Sequence, residues 1–253
     1  MIPIRHKNAI SVGGFFKVRH LLKIGSTNDF LKSLSTDESR ENFVVVADEQ
    51  TKGKGRLSRK FFSPKGGLYF SILIRPNDEA VLNSLTALAA ICVCDAVEKV
   101  CGDSASVKWV NDVLIGDKKC SGILVETTEN LKGFAIVGIG VNIGDGKVDE
   151  SIKDIACGVT KNGRDTKWKL LAAILENFKN LYTNFDRKKI ADEYKARCST
   201  VGKRVRVVPN DGNEYFAVAE ALDDDLRLVV RDDNGDVRSL YSGEVRIVFL
   251  SDF

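Results

Sequence analysis

Val107-Lys108-Trp109-Val110-Asn111-Asp112-Val113-Leu114-Ile115 reads as a β-strand interrupted by a polar Asn-Asp pair. Gly116-Asp117-Lys118-Lys119 reads as a turn, and Gly122 to Glu126 and Gly133 to Asn142 read as two further strands. With only turn chemistry between them, these strands form an antiparallel meander. The last one ends in Gly138-Ile139-Gly140-Val141-Asn142-Ile143-Gly144, whose alternating glycines leave one face of the strand bare. A bare face suits a close ligand or close backbone packing. It is no dinucleotide turn, because Ile143 stands where that motif requires glycine or alanine. Asn111-Asp112, taken alone, also fits a turn or bulge, since Asx residues favour both.

Upstream of the meander, Leu85, Leu88, Cys92, Ala96 and Val100 recur at helical spacing from about Asn83 to Cys101, with Gly102 as the stop. Before that helix, Phe16 to Ile24, Phe43 to Ala47 and Leu68 to Arg75 read as strands. Ser26 or Thr27 is placed to cap a short helix after the first of these. Downstream, Asp165 or Thr166 caps a helix with one apolar face, and a second helix runs from Arg187 to Arg197. From Val201 the texture changes to short alternating strands, Val205 to Val208, Tyr215 to Ala221, Leu226 to Arg231 and Val237 to Tyr241, which fit a small all-β barrel. The expected fold is α+β, a mixed or antiparallel sheet packed by helices over residues 1–199, with the small barrel over 200–253.

At 253 residues and 43% hydrophobic, the chain has room for one sizeable core and a small one. Its net charge of +3 is the small difference between 38 cations and 35 anions, so no global field draws it to nucleic acid or membrane. No run approaches the roughly 18 to 20 apolar residues of a membrane span, and the N-terminus lacks a secretory signal pattern. A cytoplasmic protein without membrane association is expected. Six cysteines without a C-x-x-C, and only His6 and His20, argue for buried free thiols rather than a zinc site.

Basic character is local. Gln50-Thr51-Lys52-Gly53-Lys54-Gly55-Arg56-Leu57-Ser58-Arg59-Lys60 places five cations within nine residues, from Lys52 to Lys60, with two glycines that let the backbone approach a guest. The guest should be an anion. The loop matches neither the P-loop nor the dinucleotide fingerprint, so any phosphate site here is of another type. Alone, such a loop is more often a solvated surface turn than a site.

Five motifs in order carry a resemblance: Ser26-Thr27-Asn28, the basic loop, Lys108-Trp109-x-Asn111-Asp112, Lys119-x-x-Gly122-Ile123-Leu124-Val125-Glu126 and Gly138-x-Gly140-x-Asn142. Together they resemble the biotin protein ligases over nearly the whole chain, including an SH3-like C-terminal domain with Gly243-Glu244-Val245. That resemblance implies a catalytic domain like that of class II synthetases. It also implies a two-step reaction in which biotin and ATP with Mg²⁺ give biotinyl-5′-AMP, and a lysine of a biotin carboxyl carrier protein then displaces AMP. By the same resemblance, Ser26, Thr27, Gln50, Gly53, Lys54, Lys119, Gly122, Leu124 and Gly138 bind biotin. Lys54, Arg56, Arg59, Phe61, Asn111, Lys119, Gly140 and Asn142 bind ATP or the adenylate. Lys119, Arg56 and Asp112 are the catalytic candidates, with Asp112 orienting or deprotonating the incoming lysine and the metal placed near Asn111 and Asp112.

The chemistry agrees with those assignments. Two anions must be brought together before a carboxylate can be joined to phosphate, and cations neutralise their repulsion, arginine adding bidentate hydrogen bonds. A neutral ureido ring is best read by neutral polar side chains in an apolar pocket. Lys54 stands where many relatives carry arginine, Val110 where proline is common and Phe61 where tryptophan is frequent, and no tryptophan between Asp145 and Thr160 offers itself for adenine stacking. Only 25 residues precede Ser26, too few for the helix-turn-helix domain of about sixty residues found in some relatives, so no DNA-binding module is expected. A homodimer is compatible with the resemblance. Competing readings are a lipoate or octanoate protein ligase or transferase of the same superfamily, and a nucleic-acid-binding protein using the basic loop and the barrel.

Overall fold

A computed structural model of the chain describes residues 9–12, 14–34, 41–57, 59–144, 153–159, 165–209, 212–241 and 245–249. Eight strands form one sheet: β1 (Ala9–Val12), β2 (Phe16–Leu21), β3 (Phe43–Ala47), β4 (Leu68–Ile74), β5 (Ala105–Lys108), β6 (Asp112–Ile115), β7 (Lys118–Thr127) and β8 (Ala135–Val141). Their order is β1-β2-β3-β4-β8-β7-β6-β5. Only β2 and β3 pair parallel, so the sheet is mixed and its last four strands in sequence form the expected meander.

Helices cover the two faces unequally. α2 (Glu79–Cys101), α3 (Thr166–Thr183) and α4 (Arg187–Arg197) pack on one face, where Val44, Val46, Phe70, Ile72, Val137, Ile139 and Val141 join their apolar side chains in a continuous core. The opposite face carries the short helix α1 (Thr27–Lys32), whose Leu31 closes over Val45, Leu73 and Ile136. A helix of six residues spans only about 9 Å. It therefore leaves the β6–β7 side of that face uncovered.

Several boundaries differ from the sequence reading for local reasons. α2 starts one turn earlier than Asn83, because Asp78 accepts a hydrogen bond from the Val81 amide at 2.8 Å and caps it; Gly102, at φ 80°, ends it as expected. The stretch 107–115 is not one broken strand: Trp109, Val110 and Asn111 reverse the chain between β5 and β6. Lys118 and Lys119 belong to β7 and not to the turn, which places Lys119 on a rigid element.

Although no run of membrane-spanning character was expected, α2 is long and apolar enough by length and composition. Most of that apolar window is buried between the sheet, α3 and α4, so its hydrophobicity is that of a core helix.

The C-terminal strands β9 (Arg204–Pro209), β10 (Tyr215–Leu222), β11 (Leu228–Asp232), β12 (Val237–Leu240) and β13 (Val245–Phe249) form an antiparallel sheet in the order β12-β11-β10-β9-β13. Period-2 alternation buries Val205, Val207, Ala217, Ala219, Leu228 and Val230. The sequence reading found four of these strands and missed β13. Residues 243 and 244 of the Gly-Glu-Val motif, and residues 145–152 and 160 of the segment considered for adenine stacking, lie outside the described residues.

Candidate active site

Across the uncovered part of the sheet, the register sets Tyr69, Gly140, Gly122 and Asp112 in one row and Ser71, Gly138 and Leu124 in the next. Alternation turns Ala135, Val137, Ile139 and Val141 into the core and leaves Gly138 and Gly140 on the other face, without side chains. A cavity of about 440 Å³ lies over this floor. Neutral polar groups from α1 and β4 line one end, and cations from the basic loop and β7 line the other.

At the neutral end Ser26, Thr27 and Asn28 are each about 4% exposed or less. Ser26 is the N-cap of α1 and accepts from the Asp29 amide at 3.3 Å, so its structural reading holds. Thr27 donates to Gln50 Oε1 through its amide (2.8 Å) and its hydroxyl (3.1 Å), and Gln50 Nε2 donates to Ser63 Oγ at 3.0 Å. The Ser71 hydroxyl lies 2.7 Å from Thr27 Oγ1 and 2.5 Å from Asn28 Oδ1. Asn28 Nδ2 donates to Glu126 at 2.8 Å, and Lys32 neutralises that carboxylate at 2.6 Å. Every member of this network is engaged, which fixes its donors and acceptors in space.

The cationic end is built differently. The basic loop closes on itself: Gly55 N donates to Arg59 O at 2.7 Å, and Phe61 N to Gly53 O at 2.9 Å. A Cβ at Gly53 would lie 2.4 Å from Phe61 O, so glycine is required there for close approach. Arg56 points inward, donating from Nη1 to Asn111 Oδ1 at 3.2 Å, while its buried Nη2 has no hydrogen-bond partner. Burial lowers its pKa against the opposing field of Asp112. Lys119 Nζ pairs with Asp112 at 2.6 Å and lies 5.6 Å from the centre of the Phe61 ring. Lys54 reaches back to Asp29 at 2.7 Å, and that hydrogen bond raises its pKa.

Among the described residues, seven cationic side chains and one carboxylate, Asp112, line the cavity. So lopsided a lining favours a polyanionic guest. No group of three or more His, Cys, Asp and Glu side chains poised for a metal occurs among the described residues.

Most residues singled out from the sequence converge here: Ser26, Thr27, Gln50, Lys54, Arg56, Arg59, Phe61, Asn111, Asp112, Lys119, Gly122, Leu124, Gly138 and Gly140 all line the cavity. Gly53 and Asn142 do not. Gly53 shapes the loop, and Asn142 donates to Cys157 O at 3.2 Å, holding the 153–159 segment against β7. Ser71, Arg206 and Ile247 were missed, and Asn28 and Lys108 were quoted in motifs without a binding role. A lone serine within the apolar run Leu68–Ile74 was the readable signal for Ser71. Nothing local marks Arg206 or Ile247, which reach the cavity from the small sheet.

Known proteins share the fold that carries this cavity. Residues 23–143 match the Biotin/lipoate A/B protein ligase family, and residues 200–247 match the Biotin protein ligase C terminal domain. This chain belongs to the biotin protein ligase family. The biotin protein ligase of Aquifex aeolicus, solved in complex with biotin and ATP, superposes with a TM-score of 0.76 at 29% identity, covering 92% of this chain and 98% of that one. The biotin–[acetyl-CoA-carboxylase] ligase of Mycobacterium tuberculosis is 29% identical over 85% of this chain and 83% of its own length. The bifunctional ligase/repressor BirA of Bacillus subtilis is 28% identical over 88% of this chain and 72% of its length. As a member of this family the chain is a ligase, and its mixed sheet with a small C-terminal antiparallel sheet is the architecture of its relatives.

Proposed function

We propose that this ligase joins biotin to the α-phosphate of MgATP, releasing pyrophosphate, and passes the biotinyl group from biotinyl-5′-AMP to the ε-amine of a lysine on a biotin carboxyl carrier protein. The observation that carries this reading is one cavity, over a glycine floor, with a fully hydrogen-bonded neutral end and a cationic end. The ureido ring is read beside Ser26, Thr27 and Gln50, its rings lie over Gly138 and Leu124, and the carboxylate points to Lys119.

Lys119 and Arg56 then offset the repulsion between carboxylate and α-phosphate and the charge that builds on pyrophosphate. The carboxylate oxygen attacks phosphorus as pyrophosphate leaves, and no covalent enzyme nucleophile takes part. Magnesium brought with the triphosphate would be held beside Asp112, the carboxylate at hand in the cavity, a sparse donor set of the kind magnesium uses beside substrate phosphates, and would supply screening of phosphate charge. As Lys119 turns from Asp112 to the ligand, the carboxylate is released to orient the incoming amine or accept its proton. The amine attacks the acyl carbon and AMP departs. Six cysteines without disulfides suit a reducing compartment, and we place the reaction in the cytoplasm.

The test is ATP-dependent labelling of an apo biotin carrier domain, run beside an apo lipoyl domain with lipoate. Biotin transfer with pyrophosphate release is expected; lipoate transfer without biotin transfer would move the chain to the lipoate branch.

A further inference from the structure

The turn that carries Asn111 and Asp112 has open space on both sides. In front lies the ligand cavity. Behind it, between α2, α4 and the small sheet, lies a second crevice of about 520 Å³ lined in part by Trp109, Val110 and Tyr194. Besides the two bonds that Asn111 makes with β7, three hydrogen bonds from outside the sheet hold the turn from behind. Tyr194 of α4 donates its hydroxyl to Val110 O at 2.9 Å. Thr200, in the link to the small sheet, accepts from the Trp109 amide at 2.9 Å. Trp109 Nε1 donates to Leu226 O at 2.8 Å.

These anchors act at one remove from the chemistry. The Val110 carbonyl belongs to the peptide that begins Asn111, and Asn111 is tied to β7 by two 2.9 Å bonds with Ile123. Its remaining side-chain oxygen holds Arg56. Tyr194 and Thr200 are both fully buried, and the charges of Asp112 and Arg56 both reach the Tyr194 phenol, although burial is the main cause of its raised pKa.

We propose that Tyr194 and Thr200 are positioning residues for adenylation: they keep the Trp109–Asp112 turn forward so that Asn111 aims Arg56 at the phosphates. The inference rests on the ligase reading above. It makes the reacting end of the site depend on α4 and on the link to the small sheet, and it leaves the neutral end independent of both.

Tyr194→Phe and Thr200→Val each delete one hydroxyl and keep the shape, and Thr200→Ser keeps the hydroxyl. Biotin affinity is read by calorimetry, and adenylation by pyrophosphate release at saturating biotin. Tyr194→Phe and Thr200→Val should slow adenylation roughly tenfold or more, since small misplacements of reacting groups are costly, with biotin affinity changed less than about twofold. Thr200→Ser should restore the rate. Wild-type rates in both deletions, or a parallel loss of biotin affinity and rate, would overturn the inference and leave the ligase reading standing. A wild-type protein that releases no pyrophosphate with biotin and ATP overturns the ligase reading, and the inference falls with it.

Discussion

Gly138→Ala is the sharpest test of the neutral end of the site. A Cβ built on Gly138 falls 2.2 Å from Asn28 Oδ1, whereas Cβ contacts below 3.0 Å essentially do not occur. Something must move by close to 1 Å. The backbone does not object, because Gly138 has no positive φ. The side chain does: Asn28 is 4% exposed and bound to Ser71 at 2.5 Å and Glu126 at 2.8 Å. Overpacking of this kind costs about 1–3 kcal/mol, and displacing Asn28 from Ser71 costs about another 1 kcal/mol. Thr27 shares the Ser71 hydroxyl, so the disturbance passes to the biotin readers, and a loss of about 1 kcal/mol there weakens biotin binding about fivefold.

Isothermal calorimetry with biotin, together with urea unfolding, reads both numbers. Gly25→Ala serves as the control, since its Cβ would meet nothing within 4 Å. Gly140→Ala should be milder at the neutral end, because its Cβ would strike the Phe61 ring and not the Asn28 network. If Gly138→Ala binds biotin as tightly as Gly25→Ala does, the placement of biotin beside Asn28 and Thr27 is wrong.

Further expectations concern the charged end and the core. Arg56→Gly removes the buried clamp beside Asn111 and should raise release of free biotinyl-AMP, measured by chromatography of the reaction supernatant; unchanged release would count against that role. Lys119→Ala should suppress pyrophosphate release far more than it lowers the unfolding midpoint, and normal pyrophosphate release would refute the assignment. Burial pushes the Cys94 thiol up to about 12 from an ordinary 9.0. Above pH 9 the unfolded chain ionises this thiol while the native chain holds its proton, so stability falls with rising pH by up to about 1.4 kcal/mol per unit. Cys94→Ala should therefore flatten the decline in urea-unfolding free energy between pH 9 and 10 relative to wild type, and equal slopes would show that Cys94 is not the source.

What could be read from the sequence was whatever is periodic or carried by a motif. Helical spacing placed α2 and an apolar face placed α3, turn chemistry marked off β7 from Gly122 and β8, and period 2 placed β9 to β12. The glycines at 138 and 140 announced a bare face before any neighbour was known. Ordered motifs named most of the cavity lining, because the backbone and charge needs of that chemistry are met by residues close together in sequence.

Tertiary structure decided which side of the sheet is used and what faces what. Only the register sets Gly122 beside Gly140 and Asp112 beside Gly122, and only the shortness of α1 leaves that row uncovered. The pairing of Lys119 with Asp112, the contribution of Arg206 and Ile247 from the small sheet, and the support of the Trp109–Asp112 turn by Tyr194 and Thr200 join residues far apart along the chain. Such contacts depend on how elements pack against one another, and packing leaves no local period for the sequence to display.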